Sequence, residues 1–130
     1  PPGTPVPLRA LEKLDMVLPS NGLRDQIEAY CKQQDVRLNV VLEMDAMTQI
    51  KELVARGSGY TIFAPVAAQD FVRRGDLLRA PIIERTMTRP VYLVKSPARV
   101  MTRACRVVEA TTLDVARELV RRGLWEGTLR

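Results

Sequence analysis

The chain has 130 residues, formal net charge +5, 46% apolar and 27% charged residues, two cysteines and no histidine. One domain is the default at this length, and the apolar content excludes wholesale disorder. The missing histidine excludes Ser-His-Asp and Cys-His catalysis, HExxH metal sites and Cys/His zinc fingers within the chain. Cys31 and Cys105 form no CxxC pair, so both are expected to be buried free thiols in a reducing compartment.

Four of the nine prolines fall in the first seven residues, which predicts an extended, polyproline-like linker. A short helix is expected over 8–14 and a strand over 15–18, stopped by Pro19. Ser20-Asn21-Gly22 opens a helix with Leu23, Ile27, Tyr30 and Cys31 on its apolar face and Arg24, Asp25, Glu28 and Lys32 on the other. Residues 37–43 (RLNVVLE) are short, branched and apolar, the pattern of a buried strand. Asp45 is the expected N-cap of a helix with Met47, Ile50, Leu53 and Val54 inward, ended by Gly57-Ser58-Gly59.

Residues 60–64 read as another buried strand. Pro65 suits the first turn of a third helix, with Ala68, Phe71 and Val72 inward and Gly75 at its end. Residues 77–83 read as a strand placed at an edge by Pro81, and 89–95 (RPVYLVK) as a further strand. Thr102 caps a long amphipathic helix carrying Val107, Val108, Val115 and Leu119, ended by Gly123.

Strand and helix alternate, which defines an α/β class with a mostly parallel sheet and right-handed crossovers. Every strand-to-helix junction then lies on one sheet edge, where open α/β sheets bind ligands. Three junctions qualify: Ser20-Asn21-Gly22, Met44-Asp45-Ala46 and Phe63-Ala64-Pro65. Gly57-Ser58-Gly59 runs from helix into strand, the reverse of a phosphate loop, and reads as a turn. Glu43 and Asp45 are close carboxylates but need not converge, Asp45 serving as a cap and Glu43 as a solvated strand end. No catalytic set and no metal cluster emerges, so a cofactor-free, non-enzymatic protein is expected.

The charge invites a nucleic-acid reading, and its distribution gives a different one. Sixteen of the twenty cations are scattered arginines, and the six aromatics form no basic-aromatic platform. Arg56-Gly57, Arg73-Arg74-Gly75 and Arg121-Arg122-Gly123 repeat one device, cations in a last helical turn followed by glycine. Those five arginines equal the whole positive excess. No apolar run approaches membrane-spanning length and no signal-peptide core opens the chain, so a cytoplasmic protein is expected.

The stretches LPSNGLRDQIEAYC, LEMDAMTQIKELVARGSGYTIFAPVAA, GDLLRAPI and RPVYLV, with the closing LVRRGLWEG, resemble the effector-binding domain of LysR-type transcriptional regulators. LVARGSGYTI is the most specific of these. The resemblance implies a periplasmic-binding-protein-like (type 2) fold in which a small-molecule effector binds between two lobes. It also implies a homo-oligomer, dimer or tetramer, that reaches DNA through an N-terminal domain not contained in this chain.

By the same resemblance, residues 1–14 are a hinge with a short helix and 15–88 a second lobe with helices on both sheet faces. Residues 89–130 are the crossover strand and helix that return to an absent first lobe, so Leu113, Val115, Leu119 and 91–94 would lack their usual cover. Ser20 and Asn21 match the family's cleft loop, and Phe63, Ala64 and Pro65 the strand end facing the effector. The family commonly carries proline at the place of Ala64; here it follows at Pro65. The rival reading is an exported solute-binding protein of a transporter, which would carry a signal sequence upstream.

Overall fold

The structure, a computed structural model, describes residues 3–84 and 87–129, and its chain divides into two units, Pro1–Arg89 and Pro90–Arg130. The first unit is built on a short strand, β1 (Asp15–Pro19), paired in parallel with β2 (Asn39–Met44). On its other side the Tyr60 N–H donates to the Asp15 carbonyl at 2.8 Å, and the Val17 N–H to the Tyr60 carbonyl at 2.7 Å. β1 is therefore the middle of the sheet, and Met16, Val17 and Leu18 are all at most 1% exposed. Such two-sided burial is what a parallel sheet demands of its inner strand.

Helix α1 (Gly22–Gln33) buries the expected face, Leu23, Ile27, Tyr30 and Cys31, in one cluster with Met16, Leu18, Leu8 and Leu11. Full burial of a residue such as Ile27 stabilises by about 1.5–3 kcal/mol. Helix α2 (Met47–Ala55) packs on β1 and buries only Ile50 completely; Met47, Leu53 and Val54 stay part-exposed. Helix α3 (Pro65–Arg74) begins with Pro65, as its fixed φ favours, and ends at left-handed Gly75. None of its residues is fully buried, so Ala68, Phe71 and Val72 face inward only in part.

The proline-rich start is extended, and it is hydrogen-bonded to the segment before Glu84. Its Gly3 N–H donates to Arg79 and its Val6 N–H to Pro81, while the Ile83 N–H donates back to Val6. Residues 8–13 then form a 3-10 helix whose Leu8 N–H donates to both carboxylate oxygens of Glu84, at 3.0 and 3.2 Å. Pro7, at the cap position, has no side-chain acceptor, and a carboxylate from the far end of the unit takes that place.

Several expected strands are shorter or absent. β2 is at the sheet's edge rather than buried: Val41 is 52% and Leu42 40% exposed. Val41 is the extra residue of a bulge, because Met16 pairs with Val40 and Val17 with Leu42. Residues 60–64 keep one parallel bridge, at Tyr60, before the chain turns into α3; of them only Ile62 is buried. Residues 77–83 reduce to a bridge between Val6 and Ile82, since Pro81 has no N–H to extend a ladder. Residues 89–95 form no strand, as no described segment pairs with them.

The second unit contains helix α4 (Arg103–Arg121), capped as expected by Thr102, whose Oγ1 accepts the Cys105 N–H at 3.2 Å. Val107, Val108, Thr111, Val115, Leu119 and Trp125 line an open apolar groove of about 420 Å³ along it. Cys105 is exposed, contrary to expectation, whereas Cys31 is buried. Desolvation, reinforced by Glu28 and opposed by Arg24, pushes the Cys31 thiol's pKa up and keeps it protonated.

All four α-helices end on one hydrogen-bonding pattern. Past α2 the Ser58 and Gly57 N–H groups donate to Leu53 and Val54; past α3 Asp76 and Gly75 donate to Phe71 and Val72. Past α4 Leu124 and Gly123 donate to Leu119 and Val120, and past α1 Val36 and Asp35 donate to Cys31 and Lys32. These are Schellman motifs, which need a left-handed residue after the cap. Glycine supplies it three times, and Asp35, at φ +51°, supplies it at α1.

Backbone geometry separates the glycines. A Cβ on Gly59, at φ +139°, would meet the Asp15 carbonyl oxygen at 2.6 Å, inside the β1 ladder; one on Gly57 would meet open space. Gly59→Ala should cost ~3 kcal/mol or more and Gly57→Ala ~1 kcal/mol, read from urea-unfolding midpoints. Asp35→Gly removes left-handed strain and should raise stability by roughly 0.5 kcal/mol in the same measurement.

Candidate functional site

The parallel register sets the site's position. Tyr60 pairs with Met16, so Phe63 is as far along its segment as Pro19 is along β1. In chain order Ser20 and Asn21 follow the end of β1, Asp45 and Ala46 the end of β2, and Phe63, Ala64 and Pro65 the Tyr60 bridge, all on the C-terminal side of parallel-paired segments. The ends of β1 and β2 are tied directly, the Ser20 N–H donating to the Met44 carbonyl at 3.3 Å.

Each junction has its own chemistry. Asn21 caps α1: its Oδ1 accepts the Leu23 N–H at 3.1 Å and its carbonyl accepts the Arg24 N–H at 2.7 Å. At α2 the expected cap fails. Ala46, not Asp45, occupies the N-cap position, with no side-chain acceptor, because the helix starts one residue later than the sequence suggests. α3 starts at Ala64 and Pro65, again without a side-chain cap. The N-termini of α2 and α3 thus carry no side-chain acceptor, Ser20 is exposed, and Phe63 packs partly against the core.

Arg24 is the residue that sequence reading misplaced. Periodicity put it on the solvated face of α1, yet its side chain is only 16% exposed. Its Nε pairs with Glu28 at 2.6 Å and its NH1 with Glu43 at 2.9 Å, so it joins the first turn of α1 to the end of β2. Glu43, at 51% side-chain exposure, is ion-paired rather than simply solvated. Helical spacing announces the Arg24–Glu28 pair, but nothing in the sequence announces Glu43, nineteen positions away in the chain.

Four further arginines, 73, 74, 121 and 122, stand at the ends of α3 and α4. Arg73 and Arg74 pair with Asp70 and Asp76, while Arg121 and Arg122 both bind Glu118, at 2.7 and 2.6 Å. Hydrogen bonds from Arg121 first and Arg122 second hold the Glu118 carboxyl below its usual pKa. Among the described residues no cluster of three or more His, Cys, Asp or Glu could hold a metal, and no helix is long and apolar enough to cross a membrane.

Parallel strands that alternate with helices form the arrangement of open α/β sheets, whose ligands bind past the strand ends. The model of the LysR substrate binding domain matches residues 1–117, and the chain belongs to that family. It is also similar to the HTH-type transcriptional regulator BbuR of Bordetella bronchiseptica, with 25% identity over 125 residues, 95% of this chain. The chain spans 38% of the length of that relative. No solved structure matches.

The caps separate the two junctions experimentally. Asn21→Ala should cost ~1 kcal/mol of stability through loss of the cap. Asp45→Ala, which removes no cap bond, should stay within ~0.5 kcal/mol of the unmodified chain in the same thermal or urea unfolding.

Proposed function

We propose that this chain is the effector-sensing part of a bacterial LysR-type transcriptional regulator that works in the cytoplasm and performs no catalysis. The family match across residues 1–117 supports this reading, together with the place of Ser20, Asn21 and Phe63–Pro65 just after parallel-paired segments. The relative's description as an HTH-type regulator supports DNA binding through a further domain. In this reading residues 15–88 are the second lobe of a periplasmic-binding-protein-like domain, 1–14 the hinge, and 89–130 a segment that belongs with a first lobe.

The apolar stripe of α4 supports that last assignment. Val107 and Val108 are 60% and 64% exposed, and a 19-residue amphipathic helix is stabilised by burying such a face. A small polar effector held between the lobes would take hydrogen bonds from the Ser20–Asn21 loop and lie against Phe63. By favouring one lobe arrangement it would shift how a homodimer or tetramer sits on its operator. No cofactor or metal is needed for this binding.

The test is a thermal-shift screen of small organic acids and neutral metabolites on the full-length protein. An effector at a hundred times its Kd should stabilise by ~2.7 kcal/mol, a shift of several degrees. Ser20→Ala should weaken that effector about five- to tenfold, the worth of one hydrogen bond. A full-length gene product with no winged helix-turn-helix, or an effector whose affinity ignores Ser20, Asn21 and Phe63 alike, overturns the reading.

A further inference from the structure

Helix α3 carries Pro65 at its start, directly after Phe63 and Ala64, yet no residue of α3 is fully buried. Contacts other than full core burial therefore act on the helix itself. Its flanks are anchored, by buried Ile62 before it and buried Leu77 after it. Between them runs a polar link: Lys51 of α2 reaches across, and its Nζ donates to the Ala67 carbonyl at 3.1 Å. Ala67 is in the first turn of α3, three residues beyond the Ala64 cap.

The same ammonium stands 5.0 Å from the centre of the Phe71 ring, one turn further along α3. Arg74 stacks on that ring at 4.5 Å and pairs through its Nε with Asp76. Lys51 itself is only part-exposed. An ammonium held by a carbonyl and an aromatic face gives direction as well as attraction, since the two acceptors fix its position from different sides.

We propose that Lys51 is a positioning residue: through Ala67 and Phe71 it sets the place of the α3 N-terminus and hence of the Phe63–Ala64–Pro65 turn. Its relevance to effector binding rests on the function proposed above, whereas the positioning itself does not. An effector lying against that turn would meet a surface whose location is controlled from α2.

Amide hydrogen exchange on the 130-residue chain, with no effector present, tests this. Lys51→Met keeps the aliphatic stem and removes the charge. It should speed exchange at α3 amides 68–74 by roughly three- to tenfold while α1 amides 27–31 keep their rates. Lys51→Arg restores a cation and should bring α3 back to within about twofold of the unmodified chain. Phe71→Leu, which removes the aromatic face but keeps an apolar side chain, should loosen α3 selectively in the same way.

Equal α3 rates in Lys51→Met and the unmodified chain overturn the proposal. So does a rise shared equally by α1 and α3, which would mark a general loss of stability. Either result leaves the effector reading standing, and failure of the effector screen leaves the exchange result standing.

Discussion

β1 carries an unusual share of the structure in five residues. It pairs along one edge with β2 and along the other with Tyr60, and its middle residues are inaccessible to solvent. A strand held on both edges and both faces has no freedom to shift register, because a one-residue slip would reverse every side chain. The consequences run outward. The loop before Tyr60 must pass so close to Asp15 that only glycine fits at position 59, and α1 must lie where its four apolar residues meet Met16 and Leu18.

The helix ends form a second layer of constraint. Four Schellman motifs satisfy carbonyls that would otherwise lack partners, and the cations beside them pair with carboxylates in or just past the same turns. These pairs set four arginines against three carboxylates, so they satisfy those side chains locally without cancelling the chain's formal charge of +5.

Legibility differed by kind of feature. The apolar face of α1, the Thr102 cap and the glycine-ended helices were readable because each depends on neighbours within one or two turns. The Schellman motif at Asp35 was not, since no glycine marks it. Strands were over-read: RLNVVLE and RPVYLVK have the right composition, but one lies at an edge and the other has no partner among the described residues. At the candidate site, the junction residues are proposed from alternation and resemblance. The Arg24–Glu43 pair, the missing cap at Asp45 and the reach of Lys51 to α3 were hidden.

The sequence by itself determined the α/β class, the helices, the three helix ends marked by glycine and the absence of histidine-dependent chemistry, all of which follow from local periodicity, capping and composition. It also carried the family, through motifs spread along nearly the whole chain. Only the tertiary structure decided which strand is central, which glycine cannot be replaced and which charges meet across elements. Those outcomes depend on pairing between segments far apart in the chain, where backbone hydrogen bonds and close approaches are set by neighbours that no local pattern names.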